Sequence, residues 1–140
     1  MCGIAGYILP IEHSKGDISA CLLEIESRGP DNSNVYTETI RNYNLDFLAT
    51  RFAIIDLNKR SNQPFWDISG NLGIIFNGEI YNHQQLRKEL VQSGYRIQTQ
   101  SDTEILLYAY DHWFSGRGGI WWISPGFLFF IFRRLDKVWP

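Results

Sequence analysis

Cys2 and the short apolar run after it place a thiol one residue from the start of the sequence, in Met1-Cys2-Gly3-Ile4-Ala5-Gly6. Removal of Met1 would make Cys2 the first residue, which would then carry both a nucleophile and an amine. A free α-amino group has a pKa of about 8, so near neutral pH a useful fraction can accept the thiol proton. Cysteine is also a common small buried residue, and this run alone supports the two interpretations equally.

Three further polar features could complete a site around such a nucleophile: an arginine at a strand end, an asparagine-glycine turn and an aspartate at a helix start. They are Arg51, Asn77-Gly78-Glu79 and Asp102. Hydrolysis of a primary amide needs donors for the oxyanion, which an asparagine side chain and a backbone N–H can supply. An arginine fork suits the α-carboxylate of a free amino acid, and carboxylates suit its ammonium group. Each feature alone could be an ordinary surface residue, turn or cap, but together they predict a site for an amino-acid substrate.

Length and charge restrict the class of protein. The chain has 140 residues, enough for one domain with a sizeable core, and its net charge of −2 gives no electrostatic argument for nucleic acid or an anionic membrane. Its two cysteines, Cys2 and Cys21, are weak evidence for a disulfide scaffold, so a reducing, cytoplasmic location is expected. The N-terminus lacks a basic segment followed by an apolar one, so no secretory signal is expected.

The hydrophobic pattern predicts five strands and three helices that would position these residues. The predicted strands cover residues 3–9, 35–39, 47–55, 71–77 and 95–99. The first helix is predicted to begin at the cap Asp17, to place Cys21 on its packed face, and to end before Arg28-Gly29-Pro30-Asp31.

The second helix is predicted to begin at Asn82, with Gln85 as the reciprocal capping residue, and to end at Gly94. Its core-facing residues are predicted to be Leu86, Leu90 and Val91. The third helix is predicted to begin at Ser101-Asp102-Thr103-Glu104. Its packed face would contain Ile105, Tyr108, Ala109 and His112, and His112 is given no catalytic role.

The sequence changes character after Trp113. Residues 120–132 are almost wholly apolar, but Ser124-Pro125-Gly126 interrupts them, so the segment is too short and too broken for a membrane helix. The segment also lacks the period of a helix and that of a strand, so no regular soluble element is predicted there. An exposed run of this kind is an aggregation hazard.

Six motifs together resemble, in wording, order and spacing, the N-terminal glutaminase domain of glutamine-hydrolysing asparagine synthetase, a class II glutamine amidotransferase. The resemblance covers about residues 1–113. The wording is similar to the asparagine synthetase branch rather than to the sugar-phosphate or phosphoribosyl branches. The motifs are Met1-Cys2-Gly3-Ile4-Ala5-Gly6, Arg28-Gly29-Pro30-Asp31, Arg51-Phe52-Ala53-Ile54-Ile55-Asp56, Asn62-Gln63-Pro64, Asn77-Gly78-Glu79-Ile80-Tyr81-Asn82-His83 and Ser101-Asp102-Thr103-Glu104.

The resemblance implies an α+β fold of the N-terminal nucleophile hydrolase type, a four-layer αββα sandwich that would be incomplete at its C-terminal end. It also implies hydrolysis of glutamine to glutamate and ammonia through a thioester on Cys2. Matched by position, Arg51 and the backbone around Ile54 and Ile55 would hold the glutamine α-carboxylate. Asn77 and the Gly78 N–H would form the oxyanion hole, and Glu79 and Asp102 would hold the α-amino group.

In the resembling family, ammonia passes to a synthetase domain that uses ATP and magnesium to amidate aspartate, and homodimers occur. No Ser-Gly-Gly-x-Asp-Ser loop for pyrophosphate is present in this sequence, so no cofactor or metal is expected in the chain, nor asparagine synthesis by the chain alone. The resemblance and the periodicity are lost together near Phe114, which suggests a shifted reading frame or a truncated gene. The domain division expected is therefore a partial amidotransferase domain at residues 1–113 and an atypical tail at 114–140.

Two alternatives to an active glutaminase remain open. The first is an inactive remnant that misfolds or acts only through its apolar tail. The second is the N-terminal half of an enzyme that amidates sugar carboxylates in polysaccharide biosynthesis, because the amide acceptor is chosen outside this half.

Overall fold

The computed structural model describes residues 2–13, 16–52, 59–114 and 128–133, which form a mixed α+β arrangement of two sheets and three α-helices. The elements in chain order are β1 (Gly3–Pro10), α1 (Ile18–Glu26), β2 (Asn32–Ile40), β3 (Tyr43–Arg51), a 3-10 turn (Lys59–Ser61), β4 (Phe65–Trp66), β5 (Leu72–Asn77), α2 (His83–Gln92), α3 (Asp102–Phe114) and β6 (Leu128–Arg133).

The first sheet has β3 at its centre, with β1 and β2 antiparallel on either side. A tight turn at Arg41, with φ of 53°, joins β2 to β3. Every described residue of β3 after Tyr43 is buried, because one face contacts α1 and the other faces the second sheet. The predicted third strand therefore exists but begins earlier than residue 47, and residues 53–55 of that prediction lie outside the described residues.

The second sheet has the order β4, β5, β6, and all its pairs are antiparallel. On one face of β5, Ile74 and Phe76 pack against Leu107 and Tyr110 of α3. On the other face, Ile75 packs in a cluster with β3. Burial on both faces explains why β5 is a continuous apolar run without alternation.

Helix α1 begins as predicted, since the Asp17 carboxylate accepts a hydrogen bond from the Ala20 N–H at 3.0 Å. However, Cys21 is exposed, so the prediction that it lies on the packed face is wrong. The helix rests on the first sheet through Ile18, Leu22 and Ile25, which are only partly buried. Cys21 lies at the rim of that shallow contact.

Helices α2 and α3 pack together through Leu90, Ile105, Tyr108 and Ala109. The predicted capping box of α2 does not form: Asn82 is the cap residue but its side chain makes no capping bond, and Gln85 donates to Glu89 instead. Val91 is exposed rather than packed, and His112 is exposed apart from an edge contact of its ring with Tyr95. Both residues lie at the edge of the contact between α2 and α3. Periodicity predicts a wider apolar face on each helix than the other helix covers.

The strand predicted at residues 95–99 is absent. The N–H groups of Gln98 and Thr99 instead donate to the buried carboxylate of Glu104, at 2.8 and 2.6 Å. A segment whose N–H groups bond to a side chain needs no neighbouring strand. These bonds hold the loop that leads into α3.

Strand β6 lies within the apolar tail and pairs with β5 from Leu72↔Arg133 to Asn77↔Leu128. The expectation that the tail contains no regular element is therefore wrong for Leu128–Arg133. Local sequence does not predict this strand, because pairing with β5 and burial of Ile131 specify it rather than its own periodicity.

Candidate active site

Cys2 lies at the start of β1, beside the end of β3. The strands pair Gly3 with Thr50, so the next position in the register places Cys2 opposite Arg51. The Thr50 hydroxyl accepts a hydrogen bond from the Gly3 N–H at 3.1 Å and donates to the Ile25 carbonyl at 2.9 Å. Cys2 is half-buried with a free thiol, and its carbonyl accepts a bond from Arg28 Nε at 3.4 Å.

The loop after α1 packs directly on the end of β3. Gly29 is buried there, and a Cβ at this position would come within 2.5 Å of the Arg51 nitrogen, so the site admits only glycine. The Asp31 N–H donates to the Arg51 carbonyl at 3.1 Å. An open cavity of about 420 Å³ is lined in part by Ser27, Arg28, Pro30 and Phe52, and lies next to these residues. Its volume falls within the range of small-molecule sites.

Arg51 is the last residue of β3 and its side chain is only 8% exposed. Its Nη1 donates to the Asn62 carboxamide oxygen at 2.8 Å. A guanidinium is positively charged at neutral pH and offers two parallel N–H donors, which suits it to bind a carboxylate.

Asn77 is the last residue of β5. Its carboxamide oxygen is buried and has no hydrogen-bond partner among the described residues. Buried polar atoms normally have a partner, so this carboxamide is available to bind a ligand. Rotation about χ2 exchanges the oxygen and the nitrogen, so the same group can present a donor to an oxyanion.

Asp102 is the first residue of α3 and is 7% exposed. Its Oδ2 accepts a hydrogen bond from the Ile80 N–H at 3.1 Å, which ties the turn after Asn77 to the helix start. Burial raises the pKa of Asp102 above its ordinary value, and the bond from Ile80 partly opposes that rise. Glu79 lies on the same turn with its side chain exposed.

A chain of contacts joins most of the predicted site residues. Cys2 is adjacent to Arg51 by register, and Asn62 bonds to Arg51. The neighbouring Gln63 bonds through its side chain to Phe76, the residue before Asn77. The turn after Asn77 then bonds to Asp102. The predicted substrate-binding residues Ile54 and Ile55 lie outside the described residues.

Sequence reasoning assigned no role to Asn62, Gln63 or Thr50, although all three make bonds that hold the site residues in place. Asn62 and Gln63 were marked only as part of the Asn62-Gln63-Pro64 motif, and no pattern in the sequence marked Thr50. Among the described ranges, no group of three or more histidine, cysteine or acidic residues could hold a metal ion. No helix in those ranges is long and apolar enough to cross a membrane.

Comparison with known proteins gives a family. The chain is 34% identical over 117 residues to asparagine synthetase [glutamine-hydrolyzing] 3 of Bacillus subtilis, covering 81% of the chain and 18% of that protein. It is 40% identical over 114 residues to asparagine synthetase [glutamine-hydrolyzing] 1 of the same organism, covering 81% of the chain and 17% of that protein. It is 30% identical over 125 residues to the amidase chry2 of Gibberella zeae, covering 81% of the chain and 18% of that protein.

The chain thus spans about a fifth of the length of these curated relatives. A sequence model of the glutamine amidotransferase domain matches residues 1–137, which extends past residue 113, where the resemblance in motif wording stops. The match includes β6 and the residues of the candidate site. The chain belongs to the glutamine amidotransferase domain family.

Proposed function

We propose that this chain hydrolyses glutamine to glutamate and ammonia, with Cys2 as the nucleophile. The observation that carries the proposal is the chain of contacts that joins Arg51, Asn77 and Asp102 beside the start of β1, where the thiol lies. Two relatives are named as glutamine-hydrolysing asparagine synthetases, which agrees with this substrate.

In the proposed complex, the Arg51 guanidinium binds the glutamine α-carboxylate, because arginine offers two parallel N–H donors in a fixed geometry. The carboxylate of Asp102 binds the ammonium group, assisted by Glu79. These contacts orient the side-chain amide of glutamine toward Cys2, and holding the reactants in place lowers the barrier to attack.

The proposed reaction has two stages. The Cys2 sulfur attacks the amide carbon of glutamine while the thiol proton moves to the Cys2 α-amine, which requires that Met1 be removed. The Asn77 carboxamide and the Gly78 N–H stabilise the oxyanion. The C–N bond then breaks, the proton passes to the departing ammonia, and a thioester remains. Water then attacks the thioester carbon, the C–S bond breaks, glutamate is released, and a proton from that water goes to the sulfur.

The proposal also covers what happens to the ammonia and which type of α+β fold the chain has. We place the chain as the ammonia-generating part of an asparagine synthetase-type enzyme, with the acceptor amidated elsewhere. We assign the fold to the N-terminal nucleophile hydrolase type, a four-layer αββα sandwich. This assignment is supported by contacts of α1 with the first sheet, of Ile75 with both sheets, and of α3 with β5.

Ammonia release from glutamine by the purified chain tests the proposal, together with a mass measurement that shows whether Met1 has been removed. The Cys2→Ala variant is expected to release no ammonia above background. Cys21→Ala is the matched control, because Cys21 is an exposed thiol on α1 outside the site, and it is expected to keep wild-type activity. No release by the wild type, or equal release by Cys2→Ala, would contradict the proposal.

A further inference from the structure

Asn62 and Gln63 bond to both sheets. The Asn62 carboxamide oxygen accepts from Arg51 Nη1, at the end of β3, at 2.8 Å. The Gln63 carboxamide bonds twice to the backbone of Phe76 in β5: its Nε2 donates to the carbonyl at 2.9 Å, and its Oε1 accepts from the N–H at 2.5 Å. The Gln63 carbonyl accepts from the Asn34 side chain in β2 at 2.8 Å.

The register of the second sheet explains why a side chain is used here. Strand β4 pairs Phe65 with Ile74, so two positions earlier Gln63 lies opposite Phe76. Pro64 has no N–H to donate, so regular pairing of β4 with β5 begins only at the next residue, Phe65. A carboxamide has both a donor and an acceptor, like a backbone residue, so Gln63 supplies the two bonds that a longer β4 would have made to Phe76.

Gln63 is 5% exposed, so its two bonds are made away from water. Removing the carboxamide would take both of these bonds away from the backbone of Phe76, and the strand end would shift. Asn77 is the next residue, and it would move with the strand. Arg51 would likewise lose a fixed partner without Asn62.

We propose that Asn62 and Gln63 are positioning residues that together set the separation between Arg51 and Asn77. This inference rests on the proposed glutamine hydrolysis, in which Arg51 binds the substrate carboxylate and Asn77 stabilises the oxyanion. The two residues that contact the two ends of the substrate are thereby positioned by adjacent residues of one loop. Asn62 acts on substrate binding through Arg51, and Gln63 acts on the chemical step through Asn77.

The two roles predict different kinetic changes. Asn62→Leu removes the bond from Arg51 Nη1 to the Asn62 carboxamide and is expected to raise KM about tenfold with little change in kcat, since it weakens a contact made in both the ground state and the transition state. Gln63→Met keeps the length of the side chain but removes both bonds. It is expected to lower kcat by about 100-fold with a smaller change in KM, because a displacement of about 1 Å at a reacting group costs about that much.

Two further variants keep the test decisive. Gln63→Glu keeps the acceptor for the Phe76 N–H, but it replaces the donor to the Phe76 carbonyl with an oxygen and adds a buried charge. It is used if Gln63→Met fails to fold, and its kcat is expected to be lower than that of wild type. Gln92→Met is the matched control, since Gln92 is an exposed glutamine on α2, and its kinetics are expected to equal those of wild type. Near-ultraviolet circular dichroism identifies the folded variants.

The outcomes separate the two proposals. If wild type releases ammonia but the folded Asn62 and Gln63 variants keep the kcat and KM of Gln92→Met, the positioning inference is wrong and hydrolysis stands. If wild type releases none, the proposed hydrolysis is wrong, and calorimetry of glutamine binding to the Cys2→Ala variant decides the inference. Weaker binding after adding Asn62→Leu then supports it, and unchanged binding or no binding at all overturns it.

Discussion

At the scale of single residues, burial of Asp102 opposes the charge that its proposed role requires. Its carboxylate has the Ile80 N–H as a partner, yet the loss of hydration raises its pKa above the ordinary value of 3.8. In the proposed complex, the positive charge of the substrate ammonium group would stabilise the ionised carboxylate of Asp102. The site is therefore expected to be less stable when empty than when occupied.

The stability of the chain should depend on the protonation of Asp102. The folded-state pKa lies above the unfolded value, so the stabilising contribution is complete at a pH below 3.8 and is lost as the pH rises through the raised pKa. Asp102→Asn keeps an acceptor for the Ile80 N–H but cannot ionise. Its free energy of unfolding in urea, relative to wild type, is expected to increase with pH across this window. An equal difference at every pH would contradict the assignment.

The residues proposed to bind and hydrolyse glutamine could be selected from the sequence, because cysteine, arginine and the asparagine-glycine turn occur in recognisable combinations. The residues that position them could not. Gln63 bonds to Phe76 across 13 positions of sequence, and no local pattern marks such a pair. The exposure of Cys21 was also missed, because periodicity predicts which side of a helix is apolar but not how much of it another element covers.

At the scale of elements, the loop between α1 and β2 supports the end of β3. Gly29 lies against the backbone of Thr50 and Arg51, and its two neighbours Arg28 and Pro30 line the cavity beside it. The strand end that carries Arg51 is therefore held from one side by this loop and from another by Asn62. A substitution in this loop should therefore displace the Arg51 guanidinium even though the substituted residue does not contact it.

Gly29→Ala tests this support. The new Cβ would lie within 2.5 Å of backbone atoms of Thr50 and Arg51, so the strand or the loop must move. The expected loss is about 1–3 kcal/mol in the free energy of unfolding, with a raised KM for glutamine. Gly70→Ala is the control: nothing lies within 4 Å of its Cβ, and only its φ of +69° opposes alanine. It is expected to cost about 1–2 kcal/mol and to leave KM unchanged.

Local patterns predicted β1, β2, β5 and all three helices, because each has its own cap or apolar period. They failed for residues 95–99 and for β6, for opposite reasons. The first segment has strand-forming residues, but the N–H groups of Gln98 and Thr99 donate to Glu104. The second lacks alternation but pairs with β5 over its whole length. In both segments a distant partner decided the conformation.

At the scale of the whole molecule, the described residues of the two sheets are joined by an apolar cluster and by the polar bonds of Gln63. Ile75 is fully buried in the cluster that contains Phe47 and Ala49 of β3, and Gln63 bonds to both sheets near the site. Both connections involve the same end of β5. The relative placement of Arg51 and Asn77 therefore depends on how the sheets pack as much as on either residue.

Ile75→Ala is expected to destabilise the chain by about 2–5 kcal/mol, because truncation of a fully buried isoleucine removes apolar contacts and leaves a cavity. Leu23→Ala is the matched control on α1, where the leucine is 69% exposed, and it is expected to change stability by less than about 0.5 kcal/mol. Urea unfolding measures both. Similar losses for the two variants would show that the sheets are not held together through Ile75.

The exposure of Cys21 has a practical consequence for chemical labelling. The chain has two free thiols, and the one outside the site is the more exposed. An alkylating reagent such as iodoacetamide is therefore expected to modify Cys21 as well as Cys2, so a count of labels per chain would overstate occupancy of the nucleophile. In a Cys21→Ser background, the same reagent would report Cys2 alone, and protection by glutamine would give the occupancy of the site directly.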